Sequence, residues 1–135
     1  MRNGSLRVVV DTNIYYSFLY NPFGDIGKLV LEAVNGSIEL YSPDIVYEEI
    51  RRLLTKDFKV SEEKAIEIIE SLPVKWIDRY IYADCMDNTK IIKHESDRPI
   101  LALALALKCG ILSFDNHFRP AKKIVKLWNI KELIE

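Results

Sequence analysis

The chain has 135 residues, 49% hydrophobic and 29% charged, with a formal net charge of −1. This is the balance of an ordinary globular chain, long enough to bury a sizeable core in one domain. It excludes a global electrostatic pull on nucleic acid, so any such contact has to be a local patch.

Met1 to Ser5 form a polar lead-in. The run Leu6-Arg7-Val8-Val9-Val10 then predicts a strand buried on both faces, as in a parallel sheet covered by helices. It stops at Asp11-Thr12-Asn13, three residues better suited to a helix entry than to a strand. Ile14, Tyr15, Phe18 and Leu19 follow at helical spacing. Two readings of Asp11 stand side by side: a helix cap, and an acid facing the crevice beyond the carboxyl end of a strand. After the break at Asn21-Pro22-Phe23-Gly24, a second helix is expected over Asp25 to Val34, with Ile26, Leu29, Val30, Ala33 and Val34 inward. Asn35-Gly36 would end it in a left-handed cap.

Ile38 to Tyr41 reads as a strand, with Ser42 as the next cap and Pro43 at the first helical position. The helix Pro43 to Thr55 carries a stripe of Val46, Ile50, Leu53 and Leu54. At 100° per residue Glu49 falls on the flank of that stripe and Glu48 points away. A carboxylate on a buried margin needs a partner or a task. Arg51 and Arg52 are the partners available nearby in sequence. Ser61 opens a further helix with Ala65, Ile66, Ile68, Ile69 and Leu72 apolar, closed by Pro73. Val74 to Ile77 is a third strand, and Asn88 to Lys93 suggests a helix with Ile91 and Ile92 facing in.

Ile100 to Leu107 alternates Leu and Ala, yet these residues favour helix, and Asp97 and Pro99 supply a start. Lys108-Cys109-Gly110 supplies the end. A helix apolar all round must be covered on several sides, by the sheet and by other helices or a second subunit. Gly110 to Asp115 is a second strand ending in an acid, and Asn116 to Pro120 a loop or short helix. Ile124 to Leu127 is the last strand, and Asn129 to Glu135 a terminal helical turn. The alternation predicts an α/β fold: three layers, α/β/α, around a parallel sheet of four or five strands. Cys85 and Cys109 match neither a disulfide framework nor a zinc motif. With no signal-like or membrane-length apolar run, a cytoplasmic location is expected.

Right-handed crossovers put the carboxyl ends of parallel strands on one edge. Asp11, Asp97 and Asp115 are thereby pushed to one rim, within reach of Glu49. Such acids repel one another unless a cation neutralises them, and all-oxygen ligands suit Mg²⁺ or Mn²⁺. One or two such ions are expected. Thr12, Asn13 and Ser113 stand beside the acids, either as local caps or as groups orienting the site. His94 and His117 lack partners at ligand spacing, and His117 is taken as a loop hydrogen-bonder.

The segments Asp11-Thr12-Asn13, Tyr47 to Leu54, Asp97 to Ala104 and Leu112 to Phe118 together resemble the four sequence blocks of the PIN-domain nucleases. Order and spacing match from Val8 to about Leu127. The resemblance implies a metal-dependent endoribonuclease, with Asp11, Glu49, Asp97 and Asp115 as catalytic and metal-binding acids. Small stand-alone members are often toxins of the VapC type, neutralised by a small antitoxin and frequently homodimeric. The alternatives are a housekeeping RNA-processing nuclease of the same fold and a non-catalytic RNA-binding domain. A haloacid-type phosphatase would need a second Asp at position 13, which is Asn. Arg98 and Arg119 beside the acids, and Arg51 and Arg52 on the second-block helix, are candidate RNA contacts.

Overall fold

The computed structural model describes residues 5–134. Of the lead-in expected over Met1 to Ser5, Met1 to Gly4 lie outside them, as does the last residue, Glu135. Strand β1 (Leu6–Val10) runs straight into helix α1 (Thr12–Tyr20), followed by α2 (Asp25–Val34) and β2 (Ile38–Pro43). Next come α3 (Asp44–Lys56), α4 (Glu62–Ser71), β3 (Val74–Ile77) and the short α5 (Arg79–Tyr82). Two 3-10 stretches (Ala83–Thr89 and Glu95–Asp97) lead to α6 (Arg98–Leu107) and β4 (Gly110–Leu112). A third (Asn116–Ala121) precedes β5 (Leu127–Trp128) and α7 (Ile130–Ile134).

The five strands form one all-parallel sheet in the order β3-β2-β1-β4-β5. From β1 the chain steps outward to β2 and β3 in one direction, then returns past β1 to β4 and β5 in the other. Right-handed crossovers therefore place α1–α4 on one face and α5–α6 on the other, giving the expected α/β/α layers. The direction of winding reverses between β1 and β4, and a crevice opens there beyond their carboxyl ends. Val8, Val9 and Val10 are fully buried, which is what a central strand covered on both faces demands.

Helix α6 is the other half of the core. Pro99 to Ala104 are all buried, because the sheet lies on one side and the Ala83–Thr89 stretch with α5 on the other. The chain itself thus supplies the second cover that the all-apolar pattern required.

Several boundaries differ from the sequence expectations, each for a physical reason. Ser42 does not cap α3. It is buried in β2, donates to the Val10 carbonyl at 2.7 Å, and meets the Tyr15 hydroxyl at 2.6 Å. With its one proton on Val10, Ser42 accepts from Tyr15, and Pro43 takes the cap position. Asn88 to Lys93 is not an α-helix: the 3-10 stretch ends at Thr89, and the turn closed by the Ile92 N–H on the Thr89 carbonyl buries Ile92 and leaves Ile91 exposed. Val34 and Ile66 lie on the exposed sides of their helices. Strand β4 ends at Leu112, three residues before Asp115, and β5 pairs through Leu127–Trp128 and not through Ile124, which is exposed.

Gly110 explains that last shift. A Cβ there would lie 2.6 Å from both the Lys126 carbonyl oxygen and the Trp128 indole nitrogen. The glycine is needed for close approach of β5, so it cannot also end α6. Lys108 takes the left-handed cap instead, at φ 56°, a conformation costing a non-glycine residue about 1 kcal/mol. Gly110→Ala is expected to push β5 outward and lower stability in urea by about 1–3 kcal/mol. An unchanged unfolding midpoint would contradict this packing.

Candidate active site

Four acids meet at the crevice between β1 and β4. Asp11 follows β1 and is buried, only 7% exposed. Its backbone N–H continues the ladder to the Leu112 carbonyl at 3.1 Å, which sets it beside the residues following β4. Its carboxylate accepts from the Thr12 N–H at 2.8 Å and from the Ser113 hydroxyl at 2.8 Å. Both readings of Asp11 therefore hold: it caps α1 and it faces the crevice.

Glu49 is half-buried on the flank of α3, as its helical angle required, and Glu48 is exposed. Its partner is the Thr12 hydroxyl at 2.9 Å, neither Arg51 nor Arg52. Asp97 immediately precedes α6, and Asp115 caps the following 3-10 turn by accepting from the His117 N–H at 3.0 Å. Together with Thr12, Asn13, Tyr16, Ser96 and Ile100, the four acids line one cleft of about 190 Å³. Larger hollows exist, one of about 530 Å³ between α3, β3 and α5. The acids there are engaged locally: Asp44 accepts from Tyr82 and Arg79, and Glu48 pairs with Arg51.

Ser113 ties the cleft together. Its hydroxyl donates to Asp11, and accepts from the Asp115 N–H at 2.9 Å and the Asn13 side-chain amide at 3.4 Å. One proton and two lone pairs are all used. Asn13 in turn accepts from the Phe114 N–H at 3.4 Å.

Among the described residues, no lysine or arginine forms an ion pair with Asp11, Glu49, Asp97 or Asp115. The candidate RNA-contacting arginines divide two and two. Arg51 is held by Glu48 and Glu62, and Arg98 donates to the Ile92 carbonyl at 2.9 Å and pairs with Glu95. Arg52 and Arg119 are exposed.

The ring nitrogen at the acids belongs to His117, expected from the sequence to be a loop hydrogen-bonder. Its Nδ1 lies 2.8 Å from Asp97 Oδ2 and 3.0 Å from Asp115 Oδ2. Carboxylate oxygens of Asp97 and Asp115 and a His117 ring nitrogen all lie within 4.8 Å of one another, a donor set that fits a metal ion. The signal in the sequence was Asp115-x-His117, which an Asx turn folds back on itself.

A family model described as PIN domain matches residues 9–133. The chain belongs to the PIN domain family. No curated protein sequence matches this PIN domain. Among solved structures, DNA-bound VapBC from Salmonella typhimurium aligns with a TM-score of 0.64 at 17% identity, over 92% of this chain and 99% of that one. VapBC-1 from nontypeable Haemophilus influenzae gives 0.62 at 19%, over 93% and 99%. VapBC2 from Rickettsia felis, bound to a DNA fragment from its promoter, gives 0.60 at 19%, over 92% and 100%. At these identities the likeness is one of fold.

Burial pushes the Asp11 carboxyl up from 3.8 to about 6; Ser113 and Thr12 oppose the rise, and the charges of Asp97 and Glu49 add to it. The folded state therefore holds this proton more tightly than the unfolded chain. The associated stability is complete below pH 3.8 and lost as pH rises through about 6. In the presence of a chelator at pH 7, Asp11→Asn is expected to stabilise the fold by on the order of 2 kcal/mol. The gain should shrink towards zero at pH 4. Denaturant midpoints at the two pH values check this, and a variant no more stable at pH 7 would contradict it.

Proposed function

We propose that this PIN domain is a metal-dependent endoribonuclease, the toxin of a toxin–antitoxin pair. One observation carries the reading: four carboxylates share a small cleft in which, among the described residues, no lysine or arginine pairs with them. Asp11, Glu49, Asp97 and Asp115 would hold Mg²⁺ or Mn²⁺, one ion or two. An ion bound there supplies Lewis-acid polarisation of a phosphodiester and compensates charge on the departing oxygen. The protein's own part is placement. Ser113 and the Thr12 N–H hold the Asp11 carboxylate, and the Thr12 hydroxyl holds Glu49. Ser113 also positions the Asp115 backbone. Fixing these acids before substrate arrives removes a reorganisation cost from the reaction.

Substrate contacts would come from the exposed Arg52 and Arg119 at phosphates and from Tyr16, which lines the cleft. Arg51 and Arg98 already have protein partners and are weaker candidates.

The likeness to VapBC structures supports an antitoxin as partner and one single-domain chain as the toxin. Homodimerisation rests on the family resemblance, since the chain covers its own apolar helix. Among the described residues no helix is long and apolar enough to cross a membrane.

Purified protein should cleave RNA with Mg²⁺ or Mn²⁺ and not with a chelator. Asp97→Asn should reduce cleavage at least 100-fold, about 2.7 kcal/mol of barrier. Expression of the intact chain should arrest growth, and Asp97→Asn should not. Metal-dependent cleavage without growth arrest would favour a processing nuclease. RNA binding without cleavage would favour a non-catalytic domain.

A further inference from the structure

The fold brings the His117 imidazole against Asp97 and Asp115, two of the acids of a site that sequence spacing assigned to carboxylates alone. We propose that His117 is a nitrogen donor to the cation held by Asp97 and Asp115, and that it turns the site towards Mn²⁺ and later first-row ions over Mg²⁺. This rests on the metal-dependent reading above.

Three features argue for a built position. The ring nitrogen faces both carboxylates, at 2.8 and 3.0 Å, and does not brush one of them in passing. The His117 backbone N–H donates to the other oxygen of Asp115, so ligand and ligand share one tight turn. On its far side the His117 ring is stacked on His94, with centroids 3.7 Å apart and planes inclined by 21°. That stack limits rotation of the imidazole away from the acids.

Donor chemistry then sets the preference. Carboxylate oxygens alone suit Mg²⁺, Ca²⁺ and Mn²⁺ alike. An imidazole is a poor replacement for water on Mg²⁺, whereas affinity of mixed nitrogen and oxygen sites rises from Mn²⁺ through Co²⁺. Two carboxylates with one imidazole should therefore separate ions that four carboxylates would not. The stacked His94 acts on the ring and not on the ion, so it is a positioning residue.

The test uses the full chain with manganese, magnesium and cobalt chlorides, and His117→Gln, whose side chain replaces a part-exposed ring. Calorimetric titration should give Mn²⁺ at least about tenfold tighter than Mg²⁺, and Co²⁺ tighter still. In His117→Gln, Mn²⁺ affinity should fall about tenfold while Mg²⁺ stays within about twofold. Pulsed electron paramagnetic resonance of the Mn²⁺-loaded protein should show ¹⁴N modulation that the variant lacks; thermal melting confirms that the variant is folded. His94→Ala should weaken Mn²⁺ binding less than His117→Gln and keep the ¹⁴N signal. Absent ¹⁴N modulation in the parent, or an unmoved Mn²⁺ to Mg²⁺ ratio in His117→Gln, would overturn the assignment. Where either of those results comes with metal binding and RNA cleavage intact, only the assignment falls. If the parent binds none of the three ions, the metal-dependent reading falls with it.

Discussion

Crowding of like charge at the point where the sheet reverses its winding is the constraint on which the site depends. Asp11, Asp97 and Asp115 each stand at the start of a helical segment, where unpaired backbone N–H groups favour a negative neighbour. Donors from Thr12, Ser113 and His117 add to that support. For Asp11 the support is not enough. Burial outweighs it, and the carboxyl is pushed up from 3.8 to about 6. The fold therefore gives up stability at this place, as functional sites commonly do.

Such a concession requires a rigid frame, and the end of β1 has one. Ser42 from β2 reaches across to the Val10 carbonyl, and Ser113 following β4 reaches to the Asp11 carboxylate. The two neighbours of the central strand thus each contribute one hydroxyl to its carboxyl end. Tyr15 completes the arrangement by donating to Ser42 from α1, so strand, flanking strand and following helix move as one body. Val8 to Val10 below are sealed from solvent on both faces. A displacement of Asp11 would have to break packing and hydrogen bonds in three elements at once.

Much of this was legible in local sequence. Three valines halted by Asp11 fix the central strand, and the angle of Glu49 around α3 separates it from Glu48. What could not be read depends on contacts distant in the chain. Arg51 looks free for phosphate until α4 presents Glu62, and Arg98 looks free until the Ile92 carbonyl turns towards it. The last strand was displaced because Gly110 admits the Lys126 backbone and the Trp128 ring, a fit that no hydrophobic pattern encodes. Asn88 to Lys93 failed for a different reason: two adjacent isoleucines suggest a helical face, but the turn closed on the Thr89 carbonyl buries one and exposes the other. His117 was missed because ligand spacing was sought along the chain, whereas its partner Asp97 is 20 residues away.

The disposition of the cations follows from the same constraint. Four clustered carboxylates attract a cation and repel a phosphodiester, so a polyanion cannot be drawn to this cleft by the acids themselves. A chain of net charge −1 offers no general attraction to replace it. Had Arg98 pointed into the cleft beside Asp97, it would have neutralised the acids and closed the site to a cation. Its hydrogen bond to the Ile92 carbonyl holds the guanidinium elsewhere. In the proposed nuclease, the exposed Arg52 and Arg119 would then meet phosphates without pairing with the acids. In the proposed nuclease, attraction for the polyanion and attraction for the cation would thus be separated in space.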